Sequence, residues 1–272
     1  MIKIYKEAFS ATIFDISNIS NYSIMLQLDI KKYTPVSSLV SYIDAYWSIK
    51  NISKNNVQIP IVPDGCMDII YNKDKIIYIG AMSEAFVVTM SSSEYIFGIR
   101  FKPSILAQVL NIKASDYRDK KIDLKELSLE LFQILNFKNK NELYMVNKLN
   151  GIFENVFLKL NFNPTILQAV ELIKLYQGNI EISDLSKELK LSTRQTERLF
   201  QQLIGYSPKK FCNIIRFFSF FKELAKSNIR NYSLKAYDYG YYDQSHLNKE
   251  FKKFSNFTPS DVIMSIFYNT KK

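Results

Sequence analysis

The pattern of hydrophobic and polar residues divides the chain into a first part with a period of two and a second part with a helical period. Up to about residue 102, short β-branched or aromatic runs alternate with breakers such as Pro63-Asp64-Gly65 and Ser91-Ser92-Ser93. These runs predict strands over 23–30, 45–50, 57–62, 67–72, 76–81, 85–90 and 95–101. Short strands at this spacing are typical of an antiparallel sandwich or barrel.

The period becomes helical from Pro103 onwards. Apolar spacing predicts helices within 103–110, 123–137 and 139–160, and the last has its apolar stripe at Leu143, Val146, Leu149, Phe153 and Phe157. This long amphipathic helix either forms a dimer surface or covers the open face of the sheet, and the sequence leaves both interpretations open. The best domain boundary is Asn163-Pro164, since Asn caps helices and Pro suits the first helical position.

The rest of the chain is predicted to be wholly helical. Seven helices are expected near 165–177, 183–189, 193–203, 208–226, 232–238, 244–253 and 259–266. The expected fold class is therefore α+β. Residues 1–160 would form an antiparallel β-rich domain that ends in helices, and residues 164–272 would form an all-α domain.

Two helix-turn-helix units, about 50 residues apart, are predicted within this second domain. The first spans Ile182 to Phe200, with Ser183 as the expected N-cap of its first helix. Ser192 and Gln195 have the spacing of a capping box at the start of its second helix. Two such units suggest a protein that lays two helices into neighbouring major grooves of DNA.

The second unit, Leu234 to Phe251, repeats this design. Leu234, Ala236 and Tyr237 are predicted to lie inside. Gly240 is predicted to form the turn, where a positive φ is cheap only for glycine. Asp243 is the expected N-cap of the helix that follows.

The outward faces of the two second helices carry side chains that suit base edges. In the first unit Arg194, Glu197 and Arg198 share one face; Arg can bind guanine O6 and N7, and Glu can accept from cytosine N4. The outward residues of the second unit are Gln244, Ser245, His246, Asn248 and Lys249. Gln and Asn match adenine, and Lys matches guanine or phosphate. Solvated faces of a helical bundle would show a similar pattern, but two units with caps in register favour DNA reading.

Residues 164–272 resemble the DNA-binding domain of the AraC/XylS family of transcription regulators. The resemblance is carried by ISDLSKELKLSTRQTERLFQQLIGYSPKKF, by Arg216 and by GYYDQSHLNKEFKKFSNFTPSD. It implies two three-helix lobes joined by one long helix near 209–226, and base contacts at the eight outward residues just named. It also implies double-stranded DNA and RNA polymerase as partners, and activation more often than repression. Asn256 replaces the family's usual glycine, and Asn tolerates the left-handed conformation.

The first part is similar to the sensor-like N-terminal domain of one AraC-type subgroup. The similarity is carried by VPDGCMDIIYN, Ile79-Gly80 and FGIRFKPS, and it implies a partly cupin-like module. Aromatic side chains would line an effector pocket, and the candidates are Trp47, Tyr71, Tyr95 and Phe101. Arg100 is expected to reach solvent, with anchoring of an anion as the alternative. Whether this domain senses a small molecule or only mediates homodimerisation stays open.

Composition narrows the function further. Residues 164–272 hold 17 Lys and Arg against 10 Asp and Glu, so +7 of the chain's +10 lies there, which fits a polyphosphate partner. No cofactor loop or catalytic motif occurs, so no enzyme and no cofactor are expected. The single histidine, His246, lies in the second part, which excludes a His-ligated metal in the first part. No apolar run reaches the roughly 18 residues of a membrane helix, and a cytoplasmic protein is expected.

Overall fold

The structure is a computed structural model of the chain, and it describes residues 27–137, 139, 141–226 and 232–260. The strands are β1 (Leu28–Tyr33), β2 (Ile43–Asn51), β3 (Val57–Ile61), β4 (Met67–Asn72), β5 (Lys75–Ile79), β6 (Phe86–Met90), β7 (Tyr95–Phe101) and β8 (Lys121–Asp123). Six of them form one sheet in the order β1-β2-β7-β4-β5-β8, and β3 pairs with β6. All these pairs are antiparallel, which confirms the predicted architecture. Residues 23–26 of the first predicted strand lie outside the described residues.

Successive residues of the large sheet point to opposite faces, as the period of a strand requires. On one face, buried residues of the large sheet meet the β3–β6 pair in a small apolar cluster of Leu28, Ile49, Val57, Ile59, Met90 and Ile96. The other face is covered by helices. Phe101 meets Phe153 with ring centroids 5.2 Å apart, and the hydroxyl of Tyr46 donates to Asn150 Oδ1 at 3.0 Å.

The helices of the first part are α1 (Ile105–Val109), α2 (Leu124–Leu127), α3 (Leu129–Leu135) and α4 (Glu142–Leu158), with a 3-10 turn at Ala114–Tyr117. Helix α4 covers the sheet, with four of its five predicted stripe residues buried; Leu143 is instead 47% exposed. The predicted run 123–137 is broken at Ser128, because the Ser128 hydroxyl caps a new helix by accepting from the backbone N–H of Leu131.

The helices of the second part are α5 (Pro164–Leu175), α6 (Ile182–Glu188), α7 (Thr193–Leu203), α8 (Pro208–Lys226), α9 (Tyr232–Asp238) and α10 (Gln244–Ser255). Asn163 caps α5 through the backbone N–H of Ile166, and Pro164 is its first residue, as predicted. The seventh expected helix, 259–266, lies mostly outside the described residues. One buried hydrophobic cluster runs through both parts, so the division at 160/164 stays a prediction. Within the described residues no helix is both long and apolar enough to span a membrane.

Candidate DNA interface

The first helix-turn-helix unit consists of α6, a turn and α7, and a buried polar contact holds its two helices together. The hydroxyls of Ser186 and Thr196 lie 2.9 Å apart with both residues buried, so each satisfies the other. In the turn Lys190 has a φ of 54°, and the N–H of Leu191 donates to the carbonyl of Ser186 at 3.0 Å. These contacts fix the direction in which α7 leaves the turn.

A reciprocal capping box closes the start of α7, as the sequence predicts. The N–H of Gln195 donates to Ser192 Oγ at 3.2 Å, and the N–H of Ser192 donates to Gln195 Oε1 at 2.8 Å. The predicted cap of α6 is wrong. The cap is Glu181, two residues before Ser183, and the helix begins at Ile182 because the carbonyl of Glu181 already accepts from the N–H of Leu185 at 2.9 Å. Ser183 therefore lies inside the first turn.

Helix α7 turns one face to the core and the opposite face outward. Thr196 and Phe200 are fully buried, whereas Arg194 and Arg198 are exposed and Glu197 is half-buried. The three predicted base-reading residues therefore share the outward side of the helix. Each outward guanidinium can donate two hydrogen bonds to one guanine, through O6 and N7.

The second unit consists of α9, a turn at Gly240 and α10. Gly240 has a φ of +76°, and the Asp243 side chain caps α10 by accepting from the N–H of His246 at 2.7 Å; both features were predicted. Ala236 is buried, but Tyr237 is 57% exposed, so its predicted inward position is wrong. The inward residue is Tyr239, three positions after Ala236. The side chain of Leu234 lies outside the described residues.

The outward residues of α10 differ in exposure. Gln244, Ser245 and Lys249 are exposed, and Asn248 is half-buried. His246 is also half-buried because its ring lies between two tyrosines, with centroids 5.5 Å from Tyr241 and 5.7 Å from Tyr242. The second reading helix therefore presents a partly apolar surface, and this could not be read from the sequence pattern.

Three buried polar atoms of α10 have no hydrogen-bond partner within the described structure, namely His246 Nδ1, Asn248 Oδ1 and Glu250 Oε2. Burial raises the pKa of Glu250, and the charge of Arg216 on α8 opposes this effect. A buried polar atom without a partner costs free energy. These three atoms therefore lower the stability of the second lobe.

Helix α8 joins the two units, and its aromatic side chains form the centre of the second lobe. The ring of Phe217 lies 5.0 Å from that of Phe251 and 5.4 Å from that of Phe254. Phe220 meets Tyr239 at 5.3 Å. The phenylalanines that crowd this helix in the sequence are therefore the contacts that seat α10 on it.

Two glycines hold the lobes close together. A Cβ on Gly178 would lie 2.2 Å from the carbonyl oxygen of Cys212, so no other residue fits there. The carbonyl of Gly178 also accepts from Nη2 of the buried Arg216 at 3.1 Å. A Cβ on Gly240 would lie 2.5 Å from the side-chain oxygen of Asn179, so the turn of the second unit touches the first lobe. The close approaches at Gly178 and Gly240 thus hold the first lobe against α8 and against the turn of the second unit.

The first part of the chain contacts the DNA-reading part directly. Gly65 faces the ring of Phe211 on α8, where a Cβ would come within 2.4 Å of a ring carbon. The hydroxyl of Tyr206 donates to the carbonyl of Met82. Arg118 Nη1 donates to the carbonyl of Gly205 at 3.3 Å. These contacts reach the start of α8 and the segment between α7 and α8, so the first part packs directly against the first lobe.

A cavity of about 190 Å³ lies between the large sheet and the β3–β6 pair, and Trp47 is part of its wall. The other three aromatic residues predicted for an effector pocket, Tyr71, Tyr95 and Phe101, do not line this cavity. They point to the helix-covered face because they occupy the other parity of their strands. The hydroxyl of Tyr71 donates to the carbonyl of Leu135 at 3.1 Å, and Phe101 is fully buried. The predicted four-residue pocket is therefore not formed.

Arg100 does not reach solvent, and its guanidinium is paired with two carboxylates of the chain itself. Both interpretations of the sequence are therefore wrong. It is 6% exposed, and its guanidinium pairs with Asp64 at 3.1 Å and with Asp68 at 3.2 Å. Burial alone would lower the pKa of Arg100, but the two carboxylates outweigh it and raise the pKa. Burial raises the pKa of Asp68 and Arg100 counteracts it. Within the described residues no group of three or more His, Cys, Asp or Glu is placed to hold a metal.

Paired helix-turn-helix units with outward polar faces, in the basic part of the chain, define a DNA-binding protein. Residues 185–264 match the family described as "Helix-turn-helix domain", and residues 31–123 match a domain family of unknown function (DUF6597). The C-terminal part therefore carries an AraC-type helix-turn-helix domain, and the chain is a DNA-binding transcription regulator. No curated protein matches the chain.

Solved structures of ToxT from Vibrio cholerae are similar to this chain. One has 16% identity over 88% of this chain and 98% of that chain, with a TM-score of 0.40. Another, of unsaturated fatty acid bound wild-type ToxT, has 13% identity over 88% and 94%, with a TM-score of 0.40. The AraC-like transcriptional activator CuxR has 10% identity over 72% and 89%, with a TM-score of 0.19. At such TM-scores these structures define neither a ligand nor a partner for this chain.

Proposed function

We propose that the chain is a sequence-specific transcription regulator that places α7 and α10 in successive major grooves of double-stranded DNA. The observation that supports this most is the pair of reading helices held at a fixed spacing by α8 and by the contacts at Gly178 and Gly240. Neighbouring grooves on one DNA face recur about every 10 base pairs, so a fixed spacing suits simultaneous docking.

The residues proposed to read bases fall into two groups. On α7 they are Arg194, Glu197 and Arg198. On α10 they are Gln244, Ser245, His246, Asn248 and Lys249. The exposure of Ser245 and Lys249 supports this assignment for α10, since a base contact needs a side chain that the DNA can reach. Lys252 and Lys253, exposed near the far end of α10, suit the DNA backbone.

We further propose that the regulator is an activator, that it acts in the cytoplasm through contact with RNA polymerase, and that its first part senses a small molecule. The contacts at Phe211 and Tyr206 support a sensor, because a ligand that displaces Gly65 or Met82 would change how α7 and α8 are held. A first part that serves only for dimerisation is the alternative. Saturable binding of a small molecule to the full chain separates the two.

The test is a pull-down of sheared genomic DNA from the source organism at about 150 mM salt, followed by sequencing. The Arg198→Ala/Lys249→Ala double variant runs beside the wild type, and Lys174→Ala serves as a control that removes a cation from α5. A few sites enriched with the wild type and the control, and absent with the double variant, would support the proposal. Equal recovery of the same fragments by all three proteins would overturn it.

A further inference from the structure

The cavity between the two sheets is walled almost entirely by apolar side chains. Its walls include Trp47, Ile70, Ile77, Ile79, Phe86 and Val88. Several of these, including Ile77 and Ile79, are only half-buried because they face the cavity. An apolar cavity of roughly 150 Å³ binds benzene in another protein, so one of about 190 Å³ suits a molecule with one or two rings.

The charged groups at one end of the cavity are already paired. Asp68 accepts from Trp47 Nε1 at 3.1 Å and from Arg100 at 3.2 and 3.3 Å. Asp64 binds Arg100 and accepts from the N–H of Cys66 at 2.9 Å. A ligand carboxylate placed there would meet two carboxylates that share one guanidinium. A polyhydroxylated ligand would find few partners on the remaining walls.

Among the residues that the structure describes, one polar atom of a residue in the cavity wall has no hydrogen-bond partner. Nδ2 of Asn72 donates to Glu94 Oε1 at 3.0 Å, which fixes the orientation of the amide, and Oδ1 is buried and unpaired. A carbonyl oxygen of this kind accepts from an N–H or O–H group. Oδ1 has no exposed surface in this structure, so the Asn72 amide must turn towards the cavity to offer this acceptor to a ligand.

We propose that this cavity binds a compact, neutral and mainly apolar molecule that donates one hydrogen bond to Asn72 Oδ1, the chemistry of a phenol or an indole. This proposal rests on the sensor role given above and adds the class of its ligand. Asp64, Cys66 and Met82 belong to the cavity wall and adjoin the contacts to Phe211 and Tyr206. Occupancy of the cavity therefore acts on the segment that holds the first reading unit.

The cavity contains its own reporter, because Trp47 is the only tryptophan of the chain. The full-length protein labelled with ¹⁵N has one indole N–H resonance, and that group lies in the cavity wall. We would titrate it with p-cresol, with toluene, which lacks the donor, and with 4-methylbenzoate, which is charged. A saturable shift with p-cresol is expected, toluene should bind roughly three- to tenfold more weakly, and 4-methylbenzoate should bind least.

Three variants separate binding in the cavity from effects elsewhere. Val88→Phe fills the cavity and should abolish the shift, whereas Val87→Phe changes a neighbouring side chain that is 52% exposed and should leave it intact. Asn72→Leu should make p-cresol and toluene bind equally.

No saturable shift with p-cresol in the wild type, or binding of 4-methylbenzoate at least as tight as that of p-cresol, would overturn the proposal. The second result would point to Lys121, whose Nζ lies 4.7 Å above the Phe86 ring at the cavity wall.

The readout is independent of DNA, so failure of the ligand site and failure of the regulator role can be told apart. DNA affinity would be measured with and without saturating p-cresol on a site recovered from the pull-down. A change in affinity would support both proposals. A ligand that binds in the cavity and leaves DNA affinity unchanged supports the site and overturns the sensor role.

Discussion

The two helix-turn-helix units have the same order of elements but are stabilised by different means. In the first, the polar groups that set the geometry are paired with one another, as in the Ser186–Thr196 contact and the capping box of Ser192 and Gln195. In the second, the reading helix packs on α8 through aromatic rings, and buried polar atoms of His246 and Asn248 have no partner among the described residues. This difference leads us to expect that the first lobe depends on its hydrogen bonds and the second on the aromatic packing beneath its reading helix.

The largest expected effect comes from removing the aromatic centre of the second lobe. Phe217→Ala should lower the free energy of unfolding by about 3–5 kcal/mol, because it deletes a fully buried ring between α8 and α10. Urea unfolding followed by circular dichroism measures this change. The matched control is Phe218→Ala, at a half-buried position of the same helix, which should cost much less. Equal losses from both variants would contradict the packing described for the second lobe.

Removal of single reading residues should have the next largest effect. Arg198→Ala and Lys249→Ala should each weaken specific binding by about 1–3 kcal/mol if the side chains contact bases. The comparison of the lobes sharpens this expectation. Arg198→Ala should reduce the discrimination between specific and random DNA more than Lys249→Ala does, because Arg binds guanine edges. Lys249→Ala should reduce the salt dependence of binding more than Arg198→Ala does, because Lys also binds phosphate. Titrations on both DNAs at two salt concentrations measure these changes. Equal losses on random and specific DNA would show that these residues touch only phosphates.

Substitutions at the helix caps should have smaller effects on stability, and each tests one local contact in its lobe. Ser192→Ala and Asp243→Ala should each destabilise the protein by about 1 kcal/mol, because each leaves a helix N–H without its acceptor. The two losses should be similar, since the Ser192 hydroxyl and the Asp243 carboxylate each accept from one N–H, and the bond from the Ser192 N–H to Gln195 Oε1 does not need the hydroxyl. Thermal unfolding gives the comparison. Ser183→Ala is the control and should have little effect, because Ser183 lies within the first turn of α6 and not at its cap. A larger effect at Ser183 would restore the sequence-based assignment.

Glu250, in the second lobe, should make the free energy of unfolding depend slightly on pH. Its pKa in the folded state is raised by burial above the ordinary value of 4.5, so the unfolded chain loses this proton first as the pH rises. The contribution of Glu250 to stability is therefore fully present below about pH 4.5 and decreases as the pH rises through the folded pKa. Glu250→Gln should remove this slope, and urea unfolding between about pH 4 and 7 measures it. Glu188→Gln, an exposed position in the first lobe, should leave it unchanged.

The sequence predicted most of the fold because its signals are local. The capping box, the Asp243 cap, the positive φ of Gly240 and the left-handed Asn256 all follow from residues within one turn. The apolar periodicity likewise predicted the helices of the second part closely. Strand periodicity established which residues share a face, but the effector candidates were chosen by residue type without regard to parity. That choice grouped Trp47 with three side chains from the opposite face.

Features that depend on contacts far apart in sequence could not be predicted. Asp64, Asp68 and Arg100 form a buried cluster across two strands and a turn, and the alternation of a single strand gave no sign of it. The unpaired Asn72 oxygen and the contact of Gly65 with Phe211 are equally non-local. A signal was present in one case, since the many phenylalanines of α8 could have indicated a second-lobe core.

The central claim is that one chain places two helices in neighbouring major grooves. Methylation interference and hydroxyl-radical footprinting on a recovered site test it most directly, with the wild type, Arg198→Ala and Lys249→Ala compared. The account predicts two contacted segments on one face of the DNA, centred about 10 base pairs apart. Arg198→Ala should weaken contacts in one segment and Lys249→Ala in the other. A single contacted segment, or loss of the same segment in both variants, would contradict the claim.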